Sequence, residues 1–166
     1  FIPINNKGEL ELSEPDKFFT SSTKIVSITH VSNVLGTVNP IKDIAKMAKN
    51  VDAIFIVDGA QGIPHKSVNV QDLCCDFYAF SGHKMLGPTG IGVLVYNNKL
   101  SLKPQILGGG QEKGLRAGTE NILGIMGFSE AAKLLMNRSK FDCSRVQFLR
   151  DYFAHKVKSY SPNTII

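Results

Sequence analysis

Two short β-branched runs, "KIVSITHV" (Lys24–Val31) and "AIFIVDG" (Ala53–Gly59), bracket a segment of a different period. That arrangement constrains the fold more than any other feature of the chain. Both runs are nearly continuous in apolar residues, the pattern of strands buried on both faces of a sheet. Between them, "NPIKDIAKMAKN" places Ile41, Ile44, Ala45 and Ala48 on one helical stripe, with Asn39 and Pro40 as cap and first-turn pair. Strand, helix and strand in this order imply a parallel pair joined by a right-handed crossover. The fold class is therefore α/β, with a mainly parallel sheet and flanking helices.

The pattern continues downstream. "DFYAFSG" (Asp76–Gly82) and "GIGVLVYN" (Gly90–Asn97) read as two more strands, and the linking "HKMLGPTG" is a turn or loop rich in Gly and Pro. "LGGGQEKGLRAGTEN" reads as an irregular loop. Two helices follow, one over about Asn121–Met136 and one over about Asp142–Lys158; the second aligns Val146, Leu149, Tyr152, Phe153 and Val157 along one side.

Bulk properties narrow the function classes. A chain of 166 residues with 43% apolar and 20% charged residues is an ordinary globular sequence, long enough for one core. The net charge of +5 comes from scattered lysines, with no basic run and no aromatic platform, which argues against a nucleic-acid partner. No apolar run approaches a membrane span, and the N-terminal stretch lacks the form of a signal peptide. The three cysteines form neither a disulfide framework nor a metal-binding pair, so the expected setting is a reducing, cytoplasmic one without a structural metal.

In an open parallel sheet, ligands bind beyond the carboxyl ends of the strands. Asn33 follows the first strand, Asp58 and Gln61 the second, and Ser81, His83 and Lys84 the third. An amine, a carboxylate and small donors converging there suggest pyridoxal 5′-phosphate. That cofactor needs a lysine for its aldehyde, an acid for its ring nitrogen, and hydroxyl, amide or imidazole donors for its phosphate. Taken singly, each residue also fits a plainer role: Lys84 and His83 as exposed loop residues, Asp58 as a brace for the turn at Gly59, Asn33 as a brace within its loop. His30 and His65 read as ordinary structural or surface histidines.

"THVSNVLGTVNPI", "VDGAQ", "CDFYAFSGHKMLGPTGIGVL" and "LRAGTEN" together resemble the cysteine desulfurases, members of the class V aminotransferases of fold type I. The match covers nearly the whole chain, in the family's order. The resemblance implies part of the large pyridoxal-phosphate-binding domain over 1–159, with 160–166 as the start of a smaller C-terminal domain. It implies that Lys84 attaches the cofactor covalently and later moves the substrate Cα proton. Asp58 would pair with the pyridinium nitrogen, Asn33 and Gln61 would lie on the phenolic-oxygen side, and Ser81 and His83 would hold the phosphate. Thr119 would reach the phosphate of a neighbouring subunit, since the family works as a homodimer. Arg116, in the same loop, receives no catalytic role.

The implied reaction converts L-cysteine to L-alanine and leaves the sulfur on an enzyme cysteine as a persulfide. A sulfur-acceptor protein in iron–sulfur cluster assembly would then take it. None of the cysteines matches the family's loop nucleophile: Cys74 and Cys75 precede the third strand, where buried inert thiols are expected, and Cys143 opens a helix. The absent initiator Met and the tail "SYSPNTII" suggest a central piece of a longer protein, largely inactive alone and prone to self-association. Two other readings share the same residues. One is a different class V enzyme, such as a selenocysteine lyase or an aminotransferase; the other is a non-catalytic binding module that retains the fold.

Overall fold

The computed structural model describes residues 1–137 and 140–166; the side chains of residues 140–143 fall outside the description. Phe1–Ala131 form one compact unit, built on a four-stranded sheet in the order β1 (Ile25–Thr29), β2 (Ile54–Asp58), β3 (Phe77–Ser81) and β4 (Gly92–Tyr96). β1 pairs parallel with β2 and β2 with β3, and β4 closes the sheet antiparallel to β3. The β-α-β reading holds, and the sheet is mainly parallel.

The crossover helix α1 (Ile41–Asn50) buries the expected stripe: Ile41, Ile44, Ala45 and Ala48. These residues meet Val26, Phe55, Val57, Leu73 and Tyr78 in the core, with Phe19 at its margin. Burying Ile44 or Val57 fully contributes about 1.5–3 kcal/mol each in transfer terms. Asn39 does not cap α1. The capping position is held by Pro40, which offers no side-chain acceptor, and Asn39 Nδ2 donates instead to the Thr29 carbonyl at 2.7 Å. The asparagine therefore ties the helix entry back to the end of β1.

The strands are not buried on both faces. Along β1, Val26 is buried while Ile25 is 59% exposed, and β2 buries Phe55 and Val57 but leaves Asp58 exposed. α1 covers only one face, so β-branched residues of the opposite parity stand on an open face. A near-continuous apolar run does not reveal which of its faces is covered.

Two short helices, α2 (Gly62–His65) and α3 (Val70–Leu73), fill the crossover from β2 to β3. At the start of β3, Asp76 acts as a staple. Its Oδ2 accepts from the Phe55 amide at 2.9 Å and its Oδ1 from Asn97 Nδ2 at 3.2 Å, while the Asn97 amide donates to the Asp76 carbonyl. One carboxylate thus fixes the ends of three strands.

α4 (Ile122–Met136) begins with Asn121 Oδ1 accepting from the Gly124 amide at 3.0 Å. Its Phe128 ring lies 6.0 Å from that of Phe80, so this turn of α4 backs the end of β3. The second unit, Ala132–Ile166, contains the last turns of α4 and all of α5 (Lys140–Tyr160). On α5, Val146, Leu149, Tyr152 and Phe153 are exposed, and Phe148 stacks on Tyr152 with ring centroids 6.2 Å apart.

Candidate active site

Strand register determines which side chains can meet. Thr29 stands opposite Asp58, and Asp58 opposite Ala79, at the carboxyl ends of the three parallel strands. Because side chains alternate, Asp58 and Ser81 share the open face while Val57 and Tyr78 point into the core. The sheet thus delivers a carboxylate and a hydroxyl to one rim.

Asp58 Oδ1 accepts from the Ala60 amide at 2.9 Å, which folds the chain sharply after β2. The brace engages one oxygen, leaving Oδ2 available to a ring N–H. Gln61, half-buried, starts α2, and α2 packs against the 3₁₀ turn Gly82–Met85. That turn carries His83 and Lys84, both exposed. It is held from behind: Met85 is buried, the Gly87 amide donates to the Gly82 carbonyl at 2.9 Å, and the Gly82 amide donates to the Ile91 carbonyl at 2.9 Å. A Cβ on Gly82 would come within 3.0 Å of Phe128 and 2.9 Å of Ile91, so only glycine lets the turn sit this close to α4. Among the described residues, Lys84 makes no hydrogen bond or ion pair.

Asn33 is exposed in the turn between β1 and α1, which the Val31–Val38 bridge closes. The loop is braced by its neighbour instead: Ser32 Oγ accepts from the Val34 and Leu35 amides at 3.3 and 3.1 Å. Asn33 is thereby free to face a ligand. Thr119 is exposed in a loop that folds on itself, with Gln111 Oε1 accepting from the Gly118 amide at 3.2 Å. Arg116 donates to the Ala117 carbonyl at 2.7 Å, a local role consistent with assigning it no chemistry. Asp58, Gln61, Ser81, His83 and Lys84 thus gather around the β2 and β3 ends, whereas Asn33 and Thr119 stand on separate loops.

One buried pair escaped the sequence reading in its detail. His30, 6% exposed, places Nδ1 2.9 Å from the hydroxyl of the fully buried Tyr78, with the rings edge to face at 5.9 Å. Burial, with the Lys66 charge adding to it, holds His30 below the ordinary imidazole value, and burial raises the Tyr78 phenol. A tyrosine in the middle of an apolar strand was the available signal, since a buried phenol requires a partner.

The cysteines differ from expectation. Cys74 is exposed rather than buried, because it ends the four-residue α3 in a left-handed conformation at φ 55°. Cys75 is half-buried and its thiol is pushed up to about 11, chiefly by desolvation, which fits an inert group. Both precede β3, at the opposite end of that strand from Lys84. The side chain of Cys143 lies outside the described residues.

The donor set fits pyridoxal phosphate: an amine on a rigid turn, a carboxylate with one free oxygen, and a hydroxyl and an imidazole beside them. A family model described as aminotransferase class-V matches residues 1–161. The chain belongs to the class-V aminotransferase family. This is a family of pyridoxal-phosphate enzymes, and its relatives here are desulfurases by name. A probable cysteine desulfurase of Halalkalibacterium halodurans is 53% identical over 103 residues, 62% of this chain and 25% of that protein. The cysteine desulfurase IscS of Dictyoglomus turgidum is 36% identical over 158 residues, 95% of this chain and 40% of that protein. Among solved structures, a NifS-like protein from Rickettsia africae superimposes with a TM-score of 0.89 at 34% identity, covering 96% of this chain and 45% of that one. This class-V chain therefore spans less than half the length of these relatives. Among the described residues, no helix is long and apolar enough to cross a membrane.

Proposed function

We propose that the chain is the lysine-bearing part of a pyridoxal-phosphate-dependent cysteine desulfurase, acting on L-cysteine for iron–sulfur cluster assembly. The observation that carries this reading is the rim where the ends of β2 and β3 gather Asp58, Gln61, Ser81, His83 and Lys84. Relatives named as cysteine desulfurases supply the substrate class.

When bound, pyridoxal phosphate supplies an electron sink for the carbanion at the substrate Cα. Lys84 would hold the cofactor through its amine, and the same Nζ would take the proton from the substrate Cα. Asp58 would hold the proton of the ring nitrogen, and the bond from the Ala60 amide to its Oδ1 keeps the carboxylate from turning away. Ser81 and His83 would donate to the phosphate, and Gln61 and Asn33 would lie on the phenolic-oxygen side. In a homodimer, Thr119 of the partner subunit would complete the phosphate contacts. Residues 1–159 belong to the large cofactor-binding domain in this reading, and 160–166 begin the small one.

Among the described residues the sulfur step has no cysteine nucleophile at this rim, since Cys74 and Cys75 lie at the far end of β3. The chain alone is therefore expected to hold the cofactor with little desulfurase activity. The two free thiols among the described residues support a cytoplasmic setting.

The test is a visible spectrum of the purified chain with added pyridoxal phosphate, followed by borohydride reduction and peptide mapping. A new visible band with the label on Lys84 supports the reading. No band, or label spread over surface lysines such as Lys42 and Lys49, would reject it for this chain.

A further inference from the structure

The His30–Tyr78 pair lies directly beneath the rim and is used by none of the steps above. Its bonds run to all three strands that carry the candidate site. The His30 amide donates to the Asp58 carbonyl at 2.7 Å, and the Asn39 amide donates to the His30 carbonyl at 3.0 Å, fixing the end of β1 against β2. The His30 side chain meets Tyr78 on β3, and the Tyr78 ring lies where Gly59 and Gly62 would carry side chains. A Cβ on Gly62 would stand 2.5 Å from the Tyr78 hydroxyl and 2.7 Å from His30 Nδ1, and a Cβ on Gly59 would overlap the ring itself. The turn bearing Asp58 and Gln61 is thus seated on a buried, hydrogen-bonded strut.

We infer that His30 and Tyr78 are positioning residues: their hydrogen bond fixes the Asp58–Gly62 turn and so aims the Asp58 carboxylate. The inference rests on the cofactor reading above. Neither residue touches the cofactor; each acts through Asp58. Titratable groups around the pair are Lys66 after α2, Asp58 at the end of β2, and Cys75 before β3. None of these is bonded to His30 Nδ1, so among the described residues Tyr78 is the side chain that orients the imidazole.

Three variants separate positioning from bulk packing. Tyr78→Phe removes only the hydroxyl. His30→Leu keeps apolar volume without a hydrogen-bonding atom. His30→Asn restores a polar atom near the position of Nδ1. Pyridoxal phosphate affinity and borohydride-stable labelling of Lys84 are measured for each, together with amide chemical shifts of the cofactor-free chain. Expected are a five- to tenfold loss of affinity, of the order of one hydrogen bond, in Tyr78→Phe and His30→Leu, with His30→Asn recovering most of it. Amide signals of Gly59, Ala60 and Gly62 shift in Tyr78→Phe, while that of the exposed Lys46 does not. Wild-type labelling at Lys84 with unchanged affinity in Tyr78→Phe overturns the inference and leaves the cofactor reading intact. If the wild type itself fails to label Lys84, the cofactor reading falls. The amide shifts then decide the strut, and unmoved Gly59–Gly62 signals overturn it as well.

Discussion

Gly59 and Gly62 both press on Tyr78, but their nearest atoms differ, and that difference yields a measurable asymmetry. A methyl group on Gly59 overlaps ring carbons Cε1 and Cζ, with the hydroxyl oxygen next at 2.5 Å; on Gly62 the hydroxyl oxygen itself is nearest at 2.5 Å, with His30 Nδ1 next at 2.7 Å. Tyr78 is fully buried and bonded to His30, so it cannot swing aside. Replacing glycine by alanine gains about 0.4–1 kcal/mol from a stiffer unfolded chain, and overpacking a filled core costs about 1–3 kcal/mol. The Gly59 site belongs at or beyond the upper end, because ring carbons block it at shorter range than any atom near Gly62. Net losses of about 2 kcal/mol or more for Gly59→Ala and about 1 kcal/mol for Gly62→Ala follow. Tyr78→Phe then acts selectively. It removes the atom nearest the Gly62 methyl group but leaves the ring over Gly59 unchanged. Double-mutant cycles from urea unfolding, followed by far-ultraviolet circular dichroism, should give a favourable coupling of about 1 kcal/mol for Gly62→Ala with Tyr78→Phe and near zero for Gly59→Ala with Tyr78→Phe. Equal couplings, or a Gly59→Ala chain as stable as the parent, would refute the packing argument.

Ile44→Ala empties a fully buried position between α1 and the sheet and should lower unfolding stability by about 2–5 kcal/mol in the same urea titration. His30, held below 6.5 by burial and Lys66, binds a proton more readily in the unfolded chain. The stability it supports is therefore complete above pH 6.5 and declines as pH falls toward its lowered folded value; melting temperatures from pH 7.5 down to 5 should show this slope, and His30→Asn should flatten it. Cys75 and Tyr78 work in the opposite sense: both are raised, so folding holds their protons and stability falls as pH rises past about 9, first through Cys75, which an alkaline melting series will record. Timed alkylation at pH 8 should modify the exposed Cys74 first and Cys75 only slowly, with urea abolishing the difference; equal rates in the folded chain would contradict the burial assigned to Cys75.

The β-α-β unit was legible because the α1 stripe and the flanking runs differ in period, and Ile41, Ile44, Ala45 and Ala48 are buried as that stripe requires. The rim followed from topology: once β2 and β3 are parallel neighbours, Asp58 and Lys84 must emerge at the same edge. What failed was decided by tertiary contacts. Asn39 has the side chain of a cap, yet the Thr29 carbonyl across the turn is its partner. Cys74 lies in apolar company along the sequence, but α3 is too short to display a period, and its left-handed end turns the thiol outward. The His30–Tyr78 bond spans 48 residues, beyond the reach of any local pattern.

The same alternation that builds the core also places the site. Along β2, Phe55 and Val57 face α1, so Asp58 must face the open side; on β3, Tyr78 faces inward, so Ser81 must face outward with Ala79. Slipping β2 by one residue would bury the Asp58 carboxylate and expose Val57, and slipping β3 would turn Ser81 inward and Tyr78 outward, so either slip would lose core and site together. The bonds that prevent such a slip stand at both ends of the strands. Asp76 Oδ2 holds the Phe55 amide at the start, and at the finish the Asp58 carbonyl accepts from the His30 amide while the Ala79 carbonyl accepts from the Gly59 amide at 2.7 Å. Fixing the register for the core thus fixes the carboxylate at the rim. The site's geometry is therefore expected to be as stable as the fold itself, rather than a property of loops that could loosen separately.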